Sequence, residues 1–216
     1  MAMVIAIMGE SGSGKTTSMR NLPPESTMYI DADQKGLSWR GWRSQYNTEN
    51  KNYLQTSDKD KIQTMLTRVN DDPAFAHIKT VVVDTINGCM IDDEMTRMKE
   101  KNYDKWADLA MAVYGMVLYS LKMRNDLTVI FVAHAQTERD ESGNVWTRIK
   151  TSGKKLDKIV LESKFTTVLL AKCVDGRYVF ETRANNSTTK TPMGCFDDMT
   201  IDNDIVQVLA QLEDFR

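Results

Sequence analysis

Glycine, serine, lysine and threonine are spaced near the start of the chain so that they could bind phosphate. Residues 9–16 read Gly-Glu-Ser-Gly-Ser-Gly-Lys-Thr and fit the pattern G-x-x-x-x-G-K-[ST] at every fixed position. In this pattern the glycines let backbone N–H groups converge on phosphate oxygens, while the lysine and threonine supply a cation and a Mg²⁺ ligand. We therefore predict an ATP and Mg²⁺ site formed by Gly9, Glu10, Ser11, Gly12, Ser13, Gly14, Lys15, Thr16 and Thr17.

An aspartate at the end of an apolar run is the second feature that nucleotide hydrolysis would need. The run 80–83 reads Thr-Val-Val-Val and is followed by Asp84. An acid at the carboxyl end of such a strand is the Walker B pattern, in which the carboxylate holds Mg²⁺ through water. Many strands end in aspartate, so this pattern gains its weight from the phosphate loop that precedes it. We predict that Thr16 and Asp84 bind the metal and that Lys15 and Asp84 take part in hydrolysis.

Hydrophobic patterning predicts the elements that position these residues. Four apolar runs without charged residues predict strands buried on both faces of a sheet, at 3–8, 27–30, 80–83 and 127–133. Helices are predicted at 15–21, 61–69, 106–123 and 156–161, with a last helix that begins near Asp204 and is capped by Asp202 or Asn203. A hairpin arm is predicted at 145–149, and strands at 165–172 and 178–182 flank the tight-turn sequence Val-Asp-Gly-Arg. This alternation predicts an α/β fold, a P-loop NTPase core whose mostly parallel sheet has helices on both faces and an antiparallel C-terminal edge.

Composition limits the kind of protein that the chain can be. With 216 residues, of which 41% are hydrophobic and 27% charged, it reads as a single globular domain over 1–216. The 28 basic and 30 acidic residues give a net charge of −2, so any site for a polyanion must be local. Its three cysteines, without metal-ligand spacing, favour a reducing compartment. The apolar run at the N-terminus has no basic leader and stops at Gly9, so we expect a cytoplasmic protein without a membrane partner.

Several further segments resemble the RecA-core ATPases. Residues 29–33, Tyr-Ile-Asp-Ala-Asp, resemble the strand whose acidic residue activates the attacking water; Asp33 falls on that position, where RecA itself has glutamate. Residues 130–134 resemble the strand whose last polar residue senses the γ-phosphate, and His134 falls there. Lys190 matches a lysine that reaches the neighbouring subunit's γ-phosphate. The resemblance implies catalytic roles for Asp33, His134 and Lys190 beside Lys15 and Asp84.

The whole chain looks like the small phage-type RecA-core ATPases, which include single-strand-annealing recombination proteins. The likeness is carried by the short start, by the second strand, by the segment VAHAQTERD at 132–140 and by the Lys-Thr-Pro segment from Lys190 to Phe196. It implies an ATPase in the host cytoplasm that binds single-stranded DNA, assembles with itself as a ring or filament, and works with a single-strand-binding protein. No counterpart of the N-terminal oligomerisation segment or of the C-terminal domain of bacterial RecA is evident, so we do not extend filament formation and strand exchange to this chain.

Cations and an aromatic residue follow His134, where the family's DNA-binding loop would lie. Cations can follow a phosphate backbone and an aromatic ring can stack on a base. We predict a mobile DNA-binding loop over 136–155 that uses Arg139, Trp146, Arg148, Lys150, Lys154 and Lys155. A purely solvated surface stays open, and so does a rival basic and aromatic patch over 35–51, which contains Lys35, Arg40, Arg43 and Lys51 with Trp39, Trp42 and Tyr46. The other candidate loop, 92–105, carries more acidic than basic residues and is the weaker candidate.

Three functions are compatible with these patterns. The leading prediction is an ATPase that converts ATP to ADP and phosphate, is stimulated by single-stranded DNA and acts in annealing or recombination. The alternative is an ATP-switched loader or packaging accessory that acts mainly on a protein partner, whose turnover DNA would not stimulate. A small-molecule or nucleotide kinase is disfavoured, because no arginine-rich lid lies between the phosphate loop and the later strands.

Overall fold

A mixed β-sheet runs through the molecule, and its order decides which residues meet. The structure is a computed structural model that describes residues 1–100, 104–139, 142–151 and 160–215. Its strands are β1 (Met3–Gly9), β2 (Thr27–Asp31), β3 (Tyr53–Gln55), β4 (Thr80–Asp84), β5 (Thr128–Arg139), β6 (Val145–Ile149), β7 (Thr167–Val174), β8 (Arg177–Glu181) and β9 (Thr200–Asp202). They follow the order β3-β2-β4-β5-β1-β7-β8-β9, and β6 pairs with the end of β5. The pairs from β3 to β7 are parallel, and β6, β8 and β9 are added antiparallel, which confirms the predicted α/β fold.

Helices cover the sheet, and aspartates cap two of them. The described helices are α1 (Trp42–Gln45), α2 (Lys59–Asp71), α3 (Ile86–Thr96), α4 (Asp104–Leu121) and α5 (Ile205–Asp214). The Asp58 side chain accepts hydrogen bonds from two N–H groups at the start of α2. The Asp204 side chain, rather than Asp202 or Asn203, caps α5 by accepting one from the Val206 N–H. Of the helix predicted at 156–161, residues 156–159 lie outside the described residues, and its last residue begins a 3₁₀ turn, Leu161–Lys164. None of the helices in the described ranges is long and apolar enough to cross a membrane.

Alternate residues of the strands face two separate apolar layers. In β1, Val4, Ala6 and Met8 pack into the layer that α2, α3 and α4 cover. The other three apolar residues of β1, Met3, Ile5 and Ile7, pack into the layer that contains α5. Because successive side chains point to opposite faces, a strand between two layers must be apolar at every position. This double burial is the reason for the charge-free runs, and it confirms helices on both faces.

The chain after the phosphate loop forms a short 3₁₀ turn rather than the predicted helix at 15–21. One bond of the α-helical kind joins the Ser18 N–H to the Gly14 carbonyl, and the 3₁₀ turn Thr17–Met19 comes next. Pro23 and Pro24 follow three residues after this turn; proline lacks an N–H donor and disfavours helical backbone in the residue before it, so the chain cannot continue as a helix past Leu22. The positive electrostatic potential expected at the start of a long helix is therefore missing. The loop attracts phosphate through its own N–H dipoles and through the charge of Lys15.

Strand β5 is longer than predicted and continues into a hairpin. It extends to Arg139 instead of ending at residue 133, so that His134 lies within the strand. Its last residues, from Ala135 onwards, pair with β6 in an antiparallel ladder that ends at Ile149. We call these paired segments the β5–β6 hairpin. The described part of the predicted mobile loop is thus mainly regular β-structure.

The tryptophan stretch at 35–51 is packed on itself. Tyr46 is buried and meets Tyr29 and Trp39 edge-on, with ring centroids 5.4 and 6.0 Å away. Trp42 packs on the Tyr53 ring at 5.4 Å. Because Tyr46 is buried and Trp39 and Trp42 are half-buried against neighbouring rings, less of their surface is free for stacking on bases, which weakens the rival patch.

Candidate active site

The carboxyl ends of four parallel strands meet at one edge of the sheet. Gly9 at the end of β1 lies opposite His134 of β5, and Asp84 at the end of β4 lies opposite Val132 of the same strand. Asp31, which ends β2, pairs with Asp84. Because β5 separates β1 from β4, His134 lies between the phosphate loop and the predicted metal-binding aspartate. The strand order thus gathers residues that are far apart in the sequence.

Glycines in the phosphate loop permit a backbone that other residues would disfavour. Gly12 and Gly14 have φ angles of +79° and +90°, in the left-handed region. Gly9 has a different need, since a Cβ there would lie 2.5 Å from the Ser13 Oγ and 2.7 Å from the Ala171 carbonyl oxygen. The start of the loop therefore packs tightly against β7, and only glycine fits there.

Lys15 is folded back onto the loop that carries it. Its Nζ donates hydrogen bonds to the carbonyl oxygens of Gly9, at 2.9 Å, and Glu10, at 2.6 Å, and the side chain is nearly buried. Burial lowers the pKa of Lys15 to about 8, and the Asp84 carboxylate opposes that shift. Phosphate oxygens accept stronger hydrogen bonds than neutral carbonyls, so a bound phosphate would compete well for this ammonium group.

Asp84 has the environment expected of a metal ligand. It is 2% exposed, its Oδ2 accepts a hydrogen bond of 2.6 Å from the Tyr29 hydroxyl, and no group in the described ranges bonds to its buried Oδ1. Burial raises the pKa of Asp84, and hydrogen bonds from Tyr29 and Thr16 oppose the rise. A buried carboxylate oxygen without a partner, beside the Thr16 hydroxyl, fits the oxygen ligands that Mg²⁺ prefers. Thr16 and Asp84 are the residues that would hold this ion.

Asp33 lies beyond β2 with its carboxylate turned toward the same edge. Its Oδ1 accepts a hydrogen bond of 2.7 Å from the Thr85 hydroxyl, and its Oδ2 accepts one of 2.5 Å from Lys35. Burial disfavours the ionised form of Asp33, but these two hydrogen bonds outweigh it and lower the pKa of the carboxyl. Asp33 and His134 line a cavity of about 390 Å³. An ionised carboxylate in this cavity can accept a proton from a water molecule there.

His134, which lies within β5, faces two cavities. It lines the 390 Å³ cavity and a second one of about 470 Å³, which Lys15 and Thr16 also line. Burial lowers the pKa of His134, and the positive charge of Lys15 lowers it further. This shift favours the neutral imidazole, which has one N–H donor to offer a phosphate oxygen.

Asn87 and Lys35 are site residues that the sequence did not single out for this role. The buried Asn87 amide accepts a hydrogen bond of 2.7 Å from the His134 N–H and donates one of 2.8 Å to the Lys150 carbonyl, which joins α3 to the β5–β6 hairpin. Lys35, which sequence reasoning assigned to the tryptophan patch, lines the 470 Å³ cavity beside Lys15. An asparagine two residues after a Walker B threonine was the only signal for Asn87.

The predicted DNA-binding residues lie on or beside the hairpin, and only some of them carry free charge. Arg139 and Trp146 are exposed, whereas Arg148 forms an ion pair of 2.7 Å with Glu138. Lys150 is exposed and directly follows β6, with its N–H bonded to the His134 carbonyl. Lys154 and Lys155 lie outside the described residues.

Lys190 lies away from this chain's own phosphate site. Its N–H and carbonyl pair with Val168 of β7, which lies opposite Ala6 in the body of the sheet rather than at its carboxyl edge. Lys190 lines neither the 470 Å³ nor the 390 Å³ cavity. Its predicted role at a neighbouring subunit stays a prediction.

These features together define a class of protein. A phosphate loop after the central strand, a buried aspartate on a second strand and a polar residue on the strand between them make this a P-loop nucleoside triphosphatase core. A family model described as an AAA domain matches residues 1–192, and the chain therefore belongs to this family of P-loop ATPases. No curated protein matches the chain.

Proposed function

We propose that this protein is a phage-type ATPase that binds single-stranded DNA and acts in DNA annealing or recombination. The observation that carries the proposal is the continuity of β5, which runs from the nucleotide cavity at His134 to the hairpin tip at Arg139. Asn87 adds a second connection, since its amide joins the His134 N–H to the Lys150 carbonyl. When His134 loses its contact with phosphate, the resulting shift can therefore be transmitted to the hairpin through β5 and through the Asn87 hydrogen bonds.

The proposed hydrolysis assigns one task to each residue of the site. Lys15 and the loop N–H groups bind the phosphates, and Thr16 and Asp84 hold Mg²⁺, which neutralises phosphate charge when bound. Asp33 orients a water molecule and accepts its proton as the water oxygen attacks the γ-phosphorus and the bond to the β-phosphate oxygen breaks. The products are ADP and phosphate. His134 donates a hydrogen bond to the γ-phosphate and loses that acceptor when phosphate leaves.

The proposed DNA surface consists of Arg139 and Trp146 on the hairpin and Lys150 directly after it. Trp146 is 46% exposed and lies opposite Glu138, whose ion pair with Arg148 braces the two strands. Because that pair is neutral, Arg139 and Lys150 supply the described positive charge of the surface. Trp146, opposite Glu138, and Arg139, opposite Val145, lie on opposite faces of the hairpin, so a bound strand would stack on the ring and reach Arg139 around the hairpin tip.

Trp146→Ala is expected to weaken binding of single-stranded DNA about 5- to 150-fold, since stacking contributes about 1–3 kcal/mol per base. The measurement is fluorescence anisotropy of a labelled oligonucleotide at fixed salt, with ATP and Mg²⁺ present. Phe215→Ala is the matched control, because Phe215 is 49% exposed and lies just after α5, away from the hairpin sequence. Equal affinity of both variants and the wild type would move DNA binding away from the hairpin.

Steady-state ATP hydrolysis with and without single-stranded DNA tests the proposal as a whole. Stimulated turnover that Trp146→Ala weakens would support a DNA-dependent ATPase. Turnover that is indifferent to DNA, together with an absence of DNA binding, would reject it.

A nucleotide-switched loader or packaging accessory is the second candidate function, and one observation favours it. Ile91, Met95 and Met98 on and just after α3 are 48%, 61% and 65% exposed, and the first two line the 390 Å³ cavity. Exposed apolar side chains beside a nucleotide cavity suit a protein partner whose binding depends on ATP. This candidate predicts ATP hydrolysis without stimulation by DNA.

Self-assembly is part of the proposal: Lys190 lines neither cavity of its own chain, so its proposed phosphate contact would be to another copy. Lys15→Ala and Lys190→Ala are each expected to lose hydrolysis when assayed alone. Mixed in equal amounts, they should regain about a quarter of the wild-type rate, since that fraction of head-to-tail interfaces combines an intact Lys15 with an intact Lys190. Wild-type turnover by Lys190→Ala, or a mixture no more active than its components, would contradict a role in trans.

A further inference from the structure

The loop after β2 is built to hold one lysine over the phosphate site. Lys35 lies between Gln34 and Gly36, whose φ angles of +55° and +80° turn the chain back toward the cavity. The Gln34 amide donates a hydrogen bond of 2.8 Å to the Ser57 hydroxyl on one side of Lys35. On the other side, the Gly36 N–H donates one of 2.8 Å to the Asp31 carboxylate. Both flanks of the lysine are therefore anchored.

Asp31 is a buried carboxylate that the proposed hydrolysis does not use. It is 2% exposed, and its Oδ2 accepts hydrogen bonds from the Gly36 N–H and, at 2.7 Å, from the Tyr53 hydroxyl. Burial of a carboxylate is costly unless hydrogen bonds satisfy it. Its contacts assign it to the loop, whose position it fixes through Gly36.

The Lys35 ammonium group lies where the two cavities of the site meet. Lys35 and His134 are the residues that line both the 470 Å³ cavity of the phosphate loop and the 390 Å³ cavity of Asp33. Its Nζ is 2.5 Å from the Asp33 Oδ2, yet the Lys35 side chain is 53% exposed. An ammonium group has three N–H donors, and this contact uses one of them. The lysine is therefore paired at one cavity and accessible from the other.

We propose that Lys35 is a second phosphate-binding lysine, which exchanges the Asp33 carboxylate for the terminal phosphate when ATP binds. The inference rests on the proposed ATPase activity and names a further residue of that site. Because the Lys35 side of this ion pair is half-exposed, solvent weakens the pair, whereas the terminal phosphate offers more negative charge and several acceptor oxygens, so the exchange is favourable. It also releases Asp33 to accept a proton from water, which links activation of the base to the arrival of ATP.

The test compares nucleotides that differ in the terminal phosphate. In Lys35→Ala, the affinity for ATPγS should fall about 10-fold or more, the size expected for a lost hydrogen bond between charged groups, while the affinity for ADP stays within about 2-fold. Lys35→Arg should keep the preference of the wild type for ATPγS over ADP. Displacement of a fluorescent nucleotide gives all the dissociation constants with one probe.

Lys79→Ala is the matched control for removal of an ion-paired lysine. Lys79 is 54% exposed and pairs with Asp126 at 2.6 Å, at the amino end of the sheet and so away from the site. This variant should bind both nucleotides as the wild type does. In Asp33→Ala, Lys35 is freed, so ATPγS affinity should be kept or increased, and adding Lys35→Ala to that variant should still cost about 10-fold.

Two results would overturn the inference. Equal losses of ADP and ATPγS affinity in Lys35→Ala would show that the lysine only supports the loop, and no loss of either would show that it does not reach the nucleotide. Failure of the proposed ATPase function can be distinguished from failure of this inference. A wild-type protein that binds ATP without hydrolysing it would still give the ratio of ATPγS to ADP affinity, on which the inference is tested.

Discussion

Lys15→Ala is expected to lower kcat/KM for ATP at least about 100-fold, the effect of removing one preorganised donor from a transition state with developing charge. In the free protein the lysine is nearly buried and its ammonium group is held beside the phosphate loop by the carbonyls of Gly9 and Glu10, for which a bound phosphate competes. The change also leaves those two loop carbonyls without their donor. Phosphate release at saturating Mg²⁺ measures the rate, and Lys79→Ala again serves as the control.

The pKa of Lys15 adds a pH dependence to this prediction. Burial lowers the pKa to about 8 in the free protein, whereas a bound phosphate favours the charged form. ATP affinity of the wild type should therefore be full below that pH and decline as pH rises through it. In Lys15→Ala this decline should disappear. Retained hydrolysis by the variant, or an identical pH profile, would contradict a phosphate contact by this lysine.

Asp33→Asn is expected to lower kcat by about 100- to 10,000-fold, the range attributed to general acid–base catalysis, with ATP binding retained. Asparagine keeps an oxygen that can accept the Thr85 hydrogen bond, so the loop should stay in place. The amide can no longer accept a proton, however, and it no longer forms an ion pair with Lys35. Single-turnover hydrolysis separates the chemical step from binding.

The matched comparison for Asp33 is Asp84→Asn, which affects the metal instead of the base. Asp84 is fully enclosed and bonded to Tyr29, so its substitution should weaken nucleotide binding in Mg²⁺ and be partly offset by higher Mg²⁺ concentrations. Asp33→Asn should show no such response to Mg²⁺. Near wild-type turnover in Asp33→Asn would mean that another group activates the water.

The features that the sequence predicted well are those that depend on local patterns. The phosphate loop needs glycines at positions 9 and 14: Gly14 adopts the left-handed backbone that favours glycine, and a Cβ on Gly9 would lie too close to its neighbours. Strands buried on both faces have no charged residues, so their positions and the meeting of their carboxyl ends could be inferred. The turn before β8 was also predicted, because an Asp-Gly pair favours a tight two-residue turn. In the structure Asp175 and Gly176 both have the positive φ that such a turn requires.

The features that the sequence did not predict depend on contacts between distant residues. Helix α3 has no apolar stripe along its length and begins with a cap by the Thr85 side chain, which accepts a hydrogen bond from the Gly88 N–H. Lys35 reaches the site because Gln34 has a positive φ, which is uncommon for a residue other than glycine. Composition also cannot reveal which way a ring faces, and the rings of Trp39 and Trp42 turned out to be packed.

The central position of β1 in the sheet also constrains the order in which parts of the chain can fold. Its neighbours are β5 and β7, with Met3 opposite Thr128 and Ile5 opposite Thr167, so both of its ladders close very long loops. Such pairings form slowly, and a chain made from its N-terminus exposes the phosphate loop long before the strands that hold Gly9 exist. ATP can therefore stabilise only the completed fold and gives no help to the nascent chain.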